Sequence, residues 1–343
     1  MRFGVIGTGS FAEACHVPGL LSHPQAEVVA ICGRRREKAL ALAHRFRIPF
    51  VTTEPEELCA RDDLDGISIC TPSASHREHA LIAFAHGKHV FCEKPLGVSV
   101  TEAAEMTRAA EASGRVHQIA FTYRYLHGIE ELRRRVTAGE VGEPFFFRAH
   151  HESWRGLRPG AALGWRALSG PSGGGVLYDS GAHLFDLARF VLGPIAAVRA
   201  NLQFLPRDGV ETDDIATVWL RFASGFGGQW LASRITPPRR RNFVQVVGRE
   251  GALEAFLSRG GADGLRHARP GSAGWDDLPL RNEPRVGQTH ALGRMMRSFV
   301  DACLEGRLAG SSASFHDGLA VQRAIAAAEK SASGGWALLD PPA

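Results

Sequence analysis

A chain of 343 residues, 44% hydrophobic and 22% charged with a formal net charge of +4, has the make-up of a folded globular protein and is long enough for two cores rather than one. Its basic triplets, Arg34 to Arg36, Arg133 to Arg135 and Arg239 to Arg241, lie far apart without interleaved aromatics, which argues against a nucleic-acid partner. No uninterrupted apolar run approaches the roughly 20 residues that span a bilayer, and the N-terminus reads as a strand rather than a signal peptide. The six cysteines show no CxxC pairing and are expected to be reduced, mostly buried thiols in a cytoplasmic protein.

Arg2 to Ile6 reads as a short strand that runs into Gly7-Thr8-Gly9-Ser10-Phe11-Ala12, the G-x-G-x-x-A form of a dinucleotide fingerprint. Gly7 permits the tight turn, Gly9 lets the backbone approach a pyrophosphate, and Ala12 lets the following helix pack close. The helix N-terminus then faces the anion. Alone the motif is weak, because glycine-rich strand-to-helix turns are common. A second apolar run, Glu27 to Cys32, ends about 20 residues beyond it, where an Asp or Glu would hold the adenosine ribose hydroxyls of NAD. Gly33-Arg34-Arg35 stands there instead. Guanidinium groups suit a 2′-phosphate, which tilts the cofactor to NADP without excluding NAD. The bland alternative is that Arg34 to Arg36 opens a solvated helix running to about Phe46.

Strands at Gly66 to Cys70, Lys88 to Cys92 and Val116 to Ala120 alternate with helices at Ser75 to His86 and Ser99 to Ser113. That pattern predicts a doubly wound parallel sheet whose ligands sit beyond the carboxyl ends of its strands. Two loops fall there: Thr71-Pro72, with His76 just inside the next helix, and Glu93-Lys94-Pro95. A lysine in such a place is more often surface than functional. Lys94, however, lies on the ligand edge predicted from the fingerprint, and Pro95 restricts its backbone. The cofactor-binding residues expected here are Gly7, Gly9, Ser10, Phe11, Ala12, Gly33, Arg34, Arg35, Thr71, Pro72, His76, Glu93 and Lys94.

Past residue 122 the pattern changes, so residues 1–122 are expected to form the dinucleotide domain and 123–343 an α+β domain with a large, mostly antiparallel open sheet. A basic helix from about Leu126 to Ala138 precedes a phenylalanine-rich strand at Pro144 to His151. Further strands are expected at Ala197 to Phe204, Ile215 to Phe222, Gly227 to Ser233, Phe243 to Val247 and Ala252 to Leu257. Helices near His290 to Glu305 and Phe315 to Ser333 close the chain. An exposed face on so large a sheet predicts a homo-oligomer, dimer or tetramer.

Between these strands, Gly173-Gly174-Gly175 opens onto a segment of helical period in which Asp179, His183 and Asp186 fall at i, i+4 and i+7 on one face. Apolar flanks predict burial of this stripe, and buried polar groups need partners. Just upstream, Trp165 and Arg166 offer an apolar platform and fixed donors suited to a polyol, or else simple domain packing. A metal could use Asp179 and His183 at i, i+4, with His150 or His151 as a third ligand, but no diagnostic spacing supports it.

Taken in order, Gly7-Thr8-Gly9-Ser10-Phe11-Ala12, Thr71-Pro72 with His76, Glu93-Lys94-Pro95, Tyr123-Arg124, Trp165-Arg166, and Gly173-Gly174-Gly175 with Asp179 and His183 resemble the Gfo/Idh/MocA oxidoreductases, the family of glucose-fructose oxidoreductase and inositol dehydrogenases. The resemblance covers nearly the whole chain. It implies a Rossmann domain followed by a substrate-binding and oligomerisation domain, Lys94 near the nicotinamide and the reacting oxygen, and a cis peptide before Pro95. It also implies Tyr123, Arg124, Trp165, Arg166, Asp179 and His183 as substrate-binding residues. Gly33 departs from the family's acidic residue and leaves NAD against NADP open.

The expected reaction is hydride transfer between nicotinamide and a hydroxyl or keto carbon of a sugar, cyclitol or glycoside. His183 would serve as acid/base, Lys94 as electrostatic partner and Asp179 as orienter. The alternatives are an NAD-using glycosidase that oxidises transiently, and a noncatalytic cofactor-binding regulator. Intact Lys94, Asp179 and His183 argue against the last.

Overall fold

The computed structural model describes residues 1–157, 164–236, 242–257, 264–280 and 287–339; the basic run Arg239 to Arg241 lies outside them. Strands β1 (Arg2–Ile6), β2 (Glu27–Cys32), β3 (Phe50–Thr52), β4 (Gly66–Ile69), β5 (His89–Cys92) and β6 (His117–Ile119) alternate with helices α1 (Val17–Leu21), α2 (Arg36–Phe46), α3 (Pro55–Cys59), α4 (His76–Ala85) and α5 (Val100–Ser113). All these strands pair in parallel, in the order β3-β2-β1-β4-β5-β6. The strand order reverses at β1, so the ligand crevice of such a sheet falls at the carboxyl ends of β1 and β4. Phe3, Val5, Ile31, Ile67, Ile69, Val90 and Phe91 are fully buried, as strands covered on both faces require. The first turn of α5 is a capping box: Ser99 Oγ accepts the Glu102 N–H at 3.2 Å, and the Glu102 carboxylate accepts the Val98 N–H at 2.9 Å. Strand β3 was not expected, because three residues are too few for a period to show.

The chain continues through α6 (His127–Thr137), β7 (Pro144–Glu152), α7 (Ser169–Ser172), α8 (Val176–Leu192), β8 (Ile195–Gln203), β9 (Ile215–Phe222) and β10 (Gly227–Ser233). It then forms β11 (Phe243–Gly248), β12 (Gly251–Phe256), β13 (Leu265–Ala268), β14 (Asp276–Leu278), α9 (Gly287–Glu305), α10 (Phe315–Ala332) and β15 (Ala337–Leu338). Among the described residues the second sheet runs β14-β13-β12-β11-β7-β10-β9-β8-β15. Its neighbours are antiparallel except β7 and β10, which pair in parallel. One face packs under α8, where buried Trp230 meets Phe185 edge-on at 5.0 Å. Gly181 makes that approach possible, since a Cβ there would stand 2.9 Å from the Trp230 ring. The opposite face leaves Trp219 39% and Trp336 41% exposed.

By their contacts the residues form two units, Met1–Phe121 with Thr289–Leu319, and Thr122–Gln288 with Ala320–Ala343. The expected contiguous division at 122/123 therefore differs from the packing, because α9 returns to the first sheet. Phe299 lies against Phe3 and Phe91, with ring centroids 5.8 and 5.4 Å apart, and Gly19 leaves room for Met296.

Candidate functional site

In the first unit the turn after β1 is fixed from both sides. The Gly7 N–H donates to Cys32 O at 2.9 Å, and Cys70 N–H donates to Ile6 O at 2.9 Å. At Gly7 (φ +126°) a Cβ would stand 2.7 Å from Cys70 O, so both its conformation and its surroundings demand glycine. At Gly9 a Cβ would meet nothing within 4 Å. Open space at that point, with exposed Ser10 and Phe11 at the helix entry and buried Ala12 packing it down, fits the close approach of a dinucleotide pyrophosphate.

A π-turn over Ala12–His16 widens the start of this helix and turns His16 inward. Its Nδ1 lies 2.7 Å from Ser68 Oγ and its Nε2 3.2 Å from Glu93 Oε1. The other Glu93 oxygen accepts the Lys94 N–H at 3.2 Å. Glu93, expected to bind cofactor, ties the fingerprint helix to the lysine loop. His16 was missed by sequence reasoning, which had no local signal for it. His76 is likewise a brace: its buried ring has Nδ1 2.9 Å from Pro95 O and Nε2 3.0 Å from Thr71 O. Burial pushes its pKa down, so the neutral ring donates to one carbonyl at a time. It joins the Thr71-Pro72 loop to the Glu93-Lys94-Pro95 loop, whose Lys94–Pro95 peptide is cis, and half-buried Lys94 stands on that loop. Beneath it the thiols of Cys15, Cys70 and Cys92 are pushed up by burial and by Glu93, which makes them poor nucleophiles.

At the end of β2 a Cβ on Gly33 would stand 2.4 Å from Thr8 Cγ2, so a carboxylate there would require the Thr8 side chain to turn away. Arg34 and Arg35 are exposed.

In the second unit the candidate residues gather around α8. Asp213, also missed in the sequence, caps this helix from outside. Its carboxylate accepts the Gly175 and Leu177 N–H groups at 2.8 and 2.9 Å, and its carbonyl accepts the Val176 N–H at 3.1 Å. These are helix-start donors with no intrahelical acceptor. The Asp213 backbone occupies the place a Gly175 Cβ would need, so glycine is required where the chain passes Asp213. Neighbouring Asp214 accepts from Arg207 and, at 2.7 Å, from Arg234 Nε.

Asp179 sits in the first turn of α8, its side chain 34% exposed and 3.7 Å from Arg166 Nε. The Arg166 guanidinium lies over the Trp165 ring at 4.3 Å. Trp165, Arg166 and Asp179 thus form one partly exposed platform with an aromatic face, a cation and a carboxylate. One turn on, buried His183 packs against Tyr123 at 4.6 Å between ring centroids. A further turn on, Asp186 receives Arg124 through Nε at 2.9 and 3.1 Å and Nη2 at 2.5 Å. Arg124, expected to bind substrate, is buried in this ion pair. Tyr123, expected to bind substrate as well, is 1% exposed with its hydroxyl 3.0 Å from His151 Nε2. Among the described residues no cluster of three or more His, Cys, Asp or Glu side chains forms a metal site.

Residues 1–121 match the family model described as an oxidoreductase family with an NAD-binding Rossmann fold, and residues 129–254 match the GFO/IDH/MocA C-terminal domain. The chain belongs to the Gfo/Idh/MocA oxidoreductase family. It is an oxidoreductase whose first unit is an NAD-binding Rossmann fold. Among its relatives, 1,5-anhydro-D-fructose reductase of Ensifer adhaerens is 32% identical over 255 residues, 74% of each chain. D-glucoside 3-dehydrogenase of Escherichia coli (strain K12) is 32% identical over 213 residues; the match covers 62% of this chain and 59% of that relative's length. Levoglucosan dehydrogenase in complex with NADH superposes with a TM-score of 0.91 at 26% identity, covering 99% of both chains.

Proposed function

We propose that this protein transfers a hydride between NAD(H) or NADP(H) and a hydroxyl-bearing or keto carbon of a sugar, cyclitol or glycoside. The first unit would hold the cofactor and the second the substrate. The observation that carries the reading is the partly exposed Trp165–Arg166–Asp179 platform leading to His183 on α8, in a chain whose other unit carries the fingerprint and Lys94. The relatives named above act on anhydrosugars and glucosides, and scyllo-inositol 2-dehydrogenase of Bacillus subtilis (strain 168) is 27% identical over 258 residues.

When bound, the nicotinamide accepts or donates the hydride. The Lys94 ammonium donates a hydrogen bond to the substrate oxygen as negative charge builds on it. An imidazole nitrogen of His183 takes the hydroxyl proton during oxidation and returns it during reduction. Asp179 orients a substrate hydroxyl beside that oxygen, and the Trp165 face with Arg166 holds the polyol. Arg34 and Arg35, exposed beside Gly33, where no carboxylate stands, favour the 2′-phosphate of NADP. The exposed indoles of Trp219 and Trp336 favour a homo-oligomer formed through the second sheet.

The test is a panel of anhydrosugars, inositols and glucosides followed by nicotinamide absorbance with NAD(H) and NADP(H). Substrate-dependent absorbance change supports the reading. Release of an aglycone without net absorbance change would move the function to redox-assisted glycoside cleavage.

A further inference from the structure

Behind His183 the second unit holds a pair of buried groups that the proposed reaction does not use. Tyr123 lies in the short turn Thr122–Tyr125, and His151 lies on β7, a strand paired on both sides by β10 and β11. Tyr123 is 1% and His151 3% exposed. The Tyr123 ring stands between two imidazoles, 4.6 Å from His183 with the planes at 48° and 6.0 Å from His151, and its hydroxyl is 3.0 Å from His151 Nε2.

We infer that Tyr123 and His151 are positioning residues for His183: His151 fixes the Tyr123 ring through its hydroxyl, and the ring stabilises the protonated imidazole of His183. This rests on the reading of His183 as the acid/base group. An electron-rich ring against an imidazolium favours the charged form, more so when water is excluded. A phenol tethered at its hydroxyl on a paired strand cannot turn away as the charge develops.

Several other charges on and around α8 in this unit have partners of their own, and on β7, which packs against α8, the His150 ring stands 3.9 Å from the Glu152 carboxylate. Asp186 pairs with Arg124, and Asp179 lies by Arg166. Glu131 of α6 pairs with Arg134 and Arg135, Asp214 with Arg207 and Arg234, and Glu329 of α10 accepts from the Tyr178 hydroxyl. Asp213 is held by the α8 N–H groups. The Tyr123 ring packs directly on the His183 imidazole.

The experiment is a histidine-labelled NMR titration of the full chain, with the His183 signal identified by its loss in His183→Ala. Tyr123→Leu should lower the His183 midpoint by roughly half a pH unit to one unit. Tyr123→Phe and His151→Leu should lower it by about a few tenths, because the ring remains but its tether is gone. His151→Gln, which keeps a hydrogen-bonding partner for the phenol, should restore it. An unchanged midpoint in Tyr123→Leu, or in Tyr123→Phe should the leucine variant fail to fold, overturns the inference. Turnover of His183→Ala on the sugar panel separates the two levels: full turnover removes the acid/base reading, whereas lost turnover with unmoved midpoints removes only the positioning role.

Discussion

Around Gly7 to Ala12 the first unit presents backbone and open space, with nothing within 4 Å of a Gly9 Cβ. Around Gly175 to Asp186 the second unit presents groups held by distant side chains: His183 packs on Tyr123, Asp179 lies by Arg166, and the first N–H groups of the helix donate to Asp213. A site made of backbone depends on what is absent, so it is damaged by adding atoms. A site made of networked side chains depends on partners, so it is damaged by removing one. Burial favours the neutral form in both units, on bases in one and acids in the other. In the first unit burial lowers His79 and His117 from their ordinary 6.5 to about 4, whereas in the second burial raises Asp213 and Glu329.

The largest expected effect comes from opening the Arg124–Asp186 pair. Asp186→Ala takes the carboxylate away from a buried guanidinium and should cost about 3–5 kcal/mol, read as the shift of a urea midpoint. A loss below about 1 kcal/mol would mean that the cation finds water or another anion. Next is the acid limb of stability. His79 and His117 stay neutral in the folded state down to about 4 but take up protons from 6.5 when unfolded. Their contribution is therefore complete above 6.5 and is lost as pH falls toward 4. His79→Gln should flatten that fall by about 3 kcal/mol; an unchanged acid limb would contradict the burial account. Asp213 and Glu329 act in the opposite sense, since their folded forms bind protons more readily and relieve the second unit as pH falls.

Removing the outside cap of α8 with Asp213→Ala should cost about 1–2 kcal/mol, while Asp213→Asn keeps one acceptor and should cost less. Equal losses would show that charge rather than capping matters. The smallest effect is on cofactor choice. Arg34→Ala should raise KM for NADP by roughly tenfold with little change for NAD; equal changes would remove the 2′-phosphate reading.

The contrast between the units also decides what the sequence reveals. The fingerprint, the Glu93-Lys94-Pro95 loop and the strand alternation are local patterns, so they stand in the sequence, three-residue β3 excepted. Asp179 and His183 could be placed on one helix face because helical period is local too. Their supports could not, because the Gly175–Asp213 bond joins residues 38 positions apart and the Arg124–Asp186 pair residues 62 apart. That separation is why the sequence does not show that the fold buries Tyr123 and Arg124. Amphipathic period likewise shows that α9 has a face to bury but not that Phe3 and Phe91 of the first sheet receive it. Strands β13 and β14 are short and carry Arg266, His267, Asp276 and Asp277, so no apolar alternation marks them.

The division of labour between the units is tested most directly by measuring NAD(P)H affinity and turnover together in His183→Ala. Turnover should fall by roughly 100-fold or more while the cofactor Kd stays within about twofold of the unaltered protein. Undiminished turnover, or a loss of cofactor affinity that accounts for the whole fall, would contradict it.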